Sequence, residues 1–299
     1  AFVQLLNDPL TNRITVAYQS HQVKDQGNSR HNINLMEYHL EEMDEPPREI
    51  TDPATSLETT KKAMNLSGLL RDVDVDGRGQ VIAIIDSGVD PGHPDLQKTT
   101  NNKTKIIGWR NFTGEGTVEL SGVASSSSSI LSHQGVNYRL PNAASKSGTL
   151  RFGFLEEESQ GVDFNLDGDL ADRFLVVAVD SKKPGVYDRI FLDTQGDRDL
   201  SDETGLEAYD FGREYATFHG PHGNSFNLVV SHLEPTGSEV VFGYDQLGHG
   251  TQVAGVAAAN GVIQGVAPGA RLLVAKVLDK EGITQWEQLA EAIRWAAEE

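Results

Sequence analysis

Along the first seventy residues, hydrophobic and polar positions mix without a lasting period, and "EYHLEEMDEPPREITDP" (37–53) is acidic and broken by prolines. This pattern predicts an arm or linker. At "VIAIID" (81–86) the pattern changes to a continuous, β-branched apolar run. Such a run predicts a strand buried on both faces, as in a parallel sheet. Beyond residue 114 come "SGVASSSSSI", a low-complexity segment expected to be a mobile loop, and then "TLRFGFLE", "RFLVVAVD", "YDRIFLD", "YATFHG", "SFNLVVSHL" and "SEVVFGYD". These are short β-branched or aromatic runs separated by turn residues, and they predict an all-β module. "GHGTQVAGVAAAN" then reads as a helix of small residues ending near 260–261, and "ARLLVAKVL" as another buried strand. "ITQWEQLAEAIRWAAEE" carries Ile283, Trp286, Leu289, Ile293 and Ala297 at the spacing of one helix face, with Thr284 placed to cap it.

Strand, helix, strand, helix is an α/β pattern. The expected organisation is an N-terminal extension or linker (1–70) and a parallel-sheet α/β core in two pieces (71–115 and 244–299). An all-β insertion (116–243) interrupts that core.

Composition narrows the function. The chain has 299 residues, 38% of them hydrophobic, enough for a sizeable core. A net charge of −19 argues against nucleic acid and anionic membrane surfaces as partners. There is no cysteine, which excludes disulfides and thiolate metal sites and permits either redox compartment. No apolar run reaches the roughly 18 residues of a membrane helix. The opening "AFVQLLNDPL" reads as the product of processing or cutting. Secretion is expected ahead of a cytoplasmic location.

Asp86 closes the "VIAIID" strand, so it points into the crevice where α/β folds bind ligands; capping the turn formed with Ser87 and Gly88 is the plainer role. His249 stands between two glycines at a helix N-terminus. The glycines permit close approach. The positive end of the helix favours a neutral imidazole, the form a general base needs. Capping the helix is its plainer role. Taken together, "VIAIIDSGVDPGHPDL" and "GHGTQVAGVAAAN…GVAPGARLLVAKVLD" resemble the Asp and His motifs of the subtilisin-like serine peptidases, in that family's chain order. The separation of 163 residues between the two is far longer than usual and resembles the pyrolysin and tripeptidyl-peptidase branch.

The resemblance implies a subtilisin-like core in which Asp86 orients His249, and His249 takes the proton of a serine that attacks a peptide carbonyl. It also implies that Leu278, Gly282, Ile283 and Thr284 lie on an edge that pairs with the extended backbone of a peptide or protein substrate. The common "HGTHVAG" reads "HGTQVAG" here, and Gln252 falls outside the triad. The family's nucleophile motif and oxyanion-hole Asn belong further downstream, and "SSSSS" (125–129) lacks the motif's flanks and precedes the histidine. These residues alone are therefore expected to be inactive, with the remainder of the catalytic domain, as downstream sequence or a second chain, as their partner. The rival reading is a truncated or degenerate, non-catalytic peptidase domain whose acidic β module binds calcium or a partner. A nucleotide-binding domain built on "VIAIIDSG" would need a Gly-rich phosphate loop, and none is present.

The module contains an acidic repeat. Asp163, Asn165, Asp167, Asp169 and Asp172 occupy relative positions 1, 3, 5, 7 and 10, and Asp193, Gln195, Asp197, Asp199 and Asp202 repeat them thirty residues later. Alternating oxygen side chains in a tight turn suit Ca²⁺, and Gly168 stands at the sharp-turn position 6. Position 12 holds Phe174 and Thr204 rather than Glu, so these are not full EF-hand loops. A structural Ca²⁺ is expected in the first and is a candidate in the second; solvated acidic hairpins are the alternative for both. His219 and His222 read as a polar loop, and Asp90, His93 and Asp95 as organisers of the turn after Asp86.

Overall fold

The computed structural model describes the strands within residues 3–39, positions 57, 61 and 66, and all of 75–299. The chain divides into two units, Ala1–Pro53 and Ala54–Glu299. The first holds an antiparallel meander of β1 (Val3–Asp8), β2 (Arg13–His21) and β3 (His31–His39). Residues 1–70 were expected to be an N-terminal extension or linker, and its strands were not anticipated. The alternation of Ile14, Val16 and Tyr18 is the signal that was available.

The second unit begins with β4 (Val81–Asp86) and β5 (Ile106–Asn111). Ten strands follow: β6 (Thr117–Glu119), β7 (Gly122–Ser125), β8 (Ile130–His133), β9 (Val136–Arg139), β10 (Thr149–Glu156), β11 (Arg173–Val179), β12 (Arg189–Leu192), β13 (Ala216–His219), β14 (Ser225–Leu233) and β15 (Glu239–Gly243). Two single-turn helices interrupt them, α1 (Glu157–Gln160) and α2 (Tyr209–Gly212). The chain then returns through α3 (His249–Ala258), β16 (Arg271–Lys276) and α4 (Trp286–Glu298).

β16 lies between β4 and β5, parallel to both, and Lys276 is in register with Asp86. Side chains alternate across β16. Leu272 and Val274 pack with Ala254 and Ala258 of α3, while Leu273 and Ala275 pack with Ala292 and Trp295 of α4. The insertion forms two antiparallel sheets, β12-β11-β10-β7 and β13-β14-β15-β6, and a hairpin of β8 and β9. β11 explains why "RFLVVAV" is apolar throughout. Phe174, Val176 and Ala178 share a core with Phe218, Leu228 and Phe242, while Leu175, Val177 and Val179 share one with Leu131 and Tyr138.

The insertion is joined closely to the α/β core. Val229 and Tyr209 belong to the same buried cluster as Trp109 and Ile84. Its two ends are pinched together: Asn111 Nδ2 donates to the carbonyls of Glu115 (2.8 Å) and Phe242 (2.9 Å), and Phe242 N–H donates to Gly116 O (2.8 Å).

Three local expectations change. The serine run is a turn between β7 and β8, held by hydroxyl bonds such as Ser128 Oγ to Ile130 O (2.6 Å). The cap of α4 is Gln285, in a reciprocal capping box with Gln288, rather than Thr284. The buried face of α4 runs through Ala292 and Trp295, whereas Trp286 is 82% exposed and Ile283 and Ile293 also face outward. Ala292 and Trp295 pack with Leu273 and Ala275 of β16, and of the expected face Leu289 packs against the same cluster. No helix among the described residues is long and apolar enough to cross a membrane.

Candidate active site

β4 delivers Asp86 to the carboxyl edge of the parallel sheet, and α3 delivers His249 at its first turn. Asp86 Oδ1 lies 2.7 Å from His249 Nδ1. Because a carboxylate only accepts, Nδ1 carries a proton, which in the neutral imidazole leaves the lone pair on Nε2. The Asp86 side chain is mostly buried and the His249 side chain is 51% exposed, so the pair is anchored on one side and accessible on the other.

Ser87, fully buried, is the hub beneath this pair. Its N–H donates to Asp86 Oδ1 (2.7 Å), its hydroxyl donates to Asp245 Oδ1 (2.8 Å) and it accepts from Gly250 N–H (2.9 Å). Asp245 satisfies the start of α3: it accepts from Gly248 N–H (2.9 Å), Thr251 N–H (2.9 Å) and Thr251 Oγ1 (2.5 Å). Thr251 Oγ1 in turn accepts from Asp90 N–H at 2.8 Å. Gly250 is required by proximity, since a Cβ there would fall 1.9 Å from Gly88 O. The sequence reading missed Ser87 and Asp245 as supports. An acid four residues before a helix-initiating His, with Thr251 two residues after it, is the signal that could have found Asp245.

Lys276 is buried behind Ser87. Its ammonium donates to Ser87 O (3.2 Å) and Leu278 O (2.8 Å) and pairs with Glu115 Oε2 at 3.2 Å. Burial pushes its pKa down, opposed by Glu115.

The four residues expected to meet substrate follow β16. Leu278 N–H donates to Asp86 O at 3.2 Å, which ties that loop to the end of β4. Asp279 and Ile283 close a tight turn, with Gly282 at φ +75°, and Ile283 is exposed; Thr284 lies beyond it, just before α4. Gln252 lies beside His249 in an apolar groove of about 440 Å³ lined by Val253, Val256, Ala257 and Val266. Asp90, His93 and Asp95 do organise loops. Asp90 accepts from Gly92 N–H (2.8 Å), His93 from Asp95 N–H (3.2 Å), and Asp95 from Val262 and Ile263 N–H (each 2.9 Å).

The two acidic loops share one backbone. Positions 4 and 6 have positive φ in both: Leu166 (59°) and Gly168 (102°), Gly196 (68°) and Arg198 (69°). The first Asp accepts from the position-6 N–H in each, Gly168 to Asp163 (2.9 Å) and Arg198 to Asp193 (3.0 Å). The position-3 amide reaches the position-10 carboxylate, Asn165 to Asp172 (2.7 Å) and Gln195 to Asp202 (3.3 Å). A buried or half-buried Glu supports each loop by accepting the position-2 N–H: Glu157 from Phe164 (2.7 Å) and Glu203 from Thr194 (2.7 Å). The sequence reading sought that acid at position 12 and missed both. In the first loop, oxygens of Glu157, Asp169 and Asp172 lie within 4.8 Å of one another, whereas Asp163 and Asp167 mainly bond loop amides. In the second, Asp199 turns to Arg139 (3.4 Å). Asp193 is 2% exposed, and its Oδ1 has no hydrogen-bond partner among the described residues. Burial, with Asp197 and Glu203 adding to it, pushes the Asp193 carboxyl up to about 6.

A strand-end carboxylate holding the Nδ1 proton of an accessible imidazole can act as the acid–base pair of a nucleophilic hydrolase. Comparison with known proteins makes the class specific. The model of the subtilase family matches residues 77–299, and the chain belongs to that family of serine peptidases. It is 30% identical over 294 residues to pyrolysin from Pyrococcus furiosus, covering 78% of this chain and 21% of that protein. It is 27% identical over 285 residues to tripeptidyl-peptidase 2 from Oryza sativa subsp. japonica, covering 69% of this chain and 20% of that one. The chain thus spans about a fifth of the length of these relatives. A solved structure of tripeptidyl peptidase 2 superposes with a TM-score of 0.59 at 17% identity over 77% of this chain and 23% of that chain, a likeness of fold. The resemblance to the pyrolysin and tripeptidyl-peptidase branch is borne out.

Proposed function

We propose that these residues are the Asp–His half of a Ser–His–Asp centre that hydrolyses peptide bonds. The observation that carries the reading is the 2.7 Å bond from His249 Nδ1 to Asp86 at the edge of the parallel sheet. In this reading a serine outside residues 1–299 gives its proton to His249 Nε2 as its oxygen attacks the peptide carbonyl. The imidazolium then returns the proton to the leaving amine, and water releases the acyl group by the same route. The turn from Leu278 to Thr284 pairs with the substrate backbone. Residues 1–299 alone do not cleave.

The test is labelling of the full-length protein with a fluorophosphonate, followed by peptide mapping. Label on one serine outside 1–299, lost in His249→Ala, is the expected result. No label, or label within 1–299, overturns the reading. Asp86→Asn should lower kcat by about 10⁴-fold.

A second reading concerns the insertion, and it is favoured by the unpartnered, buried Asp193 Oδ1. We propose that the acidic loops bind structural Ca²⁺, with Asp193 a ligand in the second loop. Calorimetric titration with CaCl₂ should lose one equivalent in Asp193→Asn. Equal stoichiometry in the two proteins, or no binding, would rule the second-loop site out.

A further inference from the structure

Lys276 is the buried cation nearest the catalytic strand end that the mechanism does not use. Its three ammonium protons meet three acceptors: Ser87 O, Leu278 O and the Glu115 carboxylate. Each acceptor belongs to a different part of the site. Ser87 is the hub that bonds Asp86, Asp245 and Gly250. Leu278 opens the loop proposed to meet substrate, and its N–H is bonded to Asp86 O at 3.2 Å. Glu115 stands where the chain enters the insertion, and it also accepts from Lys280 N–H at 2.8 Å. The ammonium lies 5.7 Å from the ring centroid of Tyr244, the residue just before Asp245. The charged groups facing it are therefore Glu115, Asp245 and Asp279, of which only Glu115 pairs with it directly.

We propose that Lys276 and Glu115 form a positioning pair that fixes the Asp86–Ser87 turn and sets the charge behind the Asp86–His249 pair. This rests on the reading of Asp86 and His249 as the acid–base pair. The insertion is then part of the catalytic support, because one member of the positioning pair sits at its first junction. Lys276 touches no reacting atom and acts through the Ser87 carbonyl and through its charge.

Neutralising each member in turn gives shifts of opposite sign, a readout that packing alone would not. Lys276→Met removes a cation and leaves Glu115 unpaired, so His249 holds its proton more tightly. Glu115→Gln leaves the cation uncompensated, so His249 holds its proton less tightly. In the double variant the two effects cancel. The His249 ring is followed by NMR across pH in the full-length protein, and the acid limb of the kcat/KM profile is measured on the same samples. The NMR midpoint should rise in Lys276→Met and fall in Glu115→Gln, each by about half a pH unit, a threefold change in proton affinity. The double variant should return towards the parent. If Lys276→Met does not fold, the fall in Glu115→Gln decides alone. Shifts of the same sign, or shifts of less than about 0.2 pH unit, overturn the pair. An NMR shift in a protein without peptidase activity would preserve this inference and sink the catalytic reading; activity with an unmoved midpoint would do the reverse.

Discussion

Gly250→Ala is the sharpest test of how the site is assembled. The added Cβ would lie 1.9 Å from Gly88 O and 3.2 Å from Asp86 Cβ, where ordinary contact begins near 3.4 Å. The overlap of about 1.5 Å is with backbone, so no rotamer change relieves it. The first turn of α3 must retreat from the end of β4, and the bond from Gly250 N–H to Ser87 Oγ (2.9 Å) is the first to break. Overpacking costs about 1–3 kcal/mol and an orphaned buried hydroxyl or N–H about 1–3 more, so the loss should be about 4 kcal/mol. Gly248→Ala is the control: φ there is +69°, nothing lies within 4 Å of its Cβ, and only about 1–2 kcal/mol of backbone strain is expected. Urea unfolding followed by circular dichroism measures both, and the low-field Nδ1 proton of His249 reports the bond to Asp86. Gly250→Ala should lose that resonance and Gly248→Ala should keep it. Equal costs in the two variants, or an intact resonance in Gly250→Ala, would refute the close-approach argument.

Three further outcomes are expected. Lys105 is fully buried, with Nζ donating to the carbonyls of Ala258 (2.6 Å), Pro268 (2.7 Å) and Ala270 (3.1 Å), and burial pushes its pKa from 10.5 to about 8. The unfolded chain then binds more protons between those two values. Stability should rise from pH 8 to pH 10.5, recovering a penalty of about 3 kcal/mol that is fully present below pH 8; pH-dependent urea unfolding should show this slope, and Lys105→Met should flatten it. Asp95→Ala orphans the N–H groups of Val262 and Ile263, so it should cost about 2 kcal/mol, and those two amides should exchange faster than their neighbours in hydrogen exchange. Asp245→Ala removes acceptors from Gly248, Thr251 and Ser87 together; a loss of about 3 kcal/mol in thermal unfolding is expected, and a change below about 1 kcal/mol would exclude Asp245 as the support of α3.

Asp86 and His249 were legible because each sits at a boundary that local pattern reveals, a buried strand's end and a glycine-flanked helix start. The two strands flanking the site and the strands from Thr149 onward were legible for the same reason. The supports were not. Ser87 meets Asp245 across 158 residues, and Lys276 meets Glu115 through a register that no local window contains. Rotation of α4 was misread because spacing alone cannot tell which of two apolar stripes finds a partner; Trp295 does, against Phe112 at 5.9 Å between ring centroids. The acids under the two loops were missed for a related reason: Glu157 precedes its loop and Glu203 comes one position early, so a fixed spacing finds neither.

The pinched neck of the insertion has a consequence for how the chain brings Asp86 and His249 together. Asp86 and His249 are 163 residues apart along the backbone. Once Asn111 has gathered Glu115 and Phe242, the route between them shortens to roughly 32 residues, which lowers the entropy cost of loop closure by about 1.4 kcal/mol. Closure cost grows only with the logarithm of length, so the neck, and not the size of what hangs from it, governs whether the two residues meet. An insertion at this point could lengthen, shrink or be exchanged over generations without separating aspartate from histidine, provided its two ends stayed together.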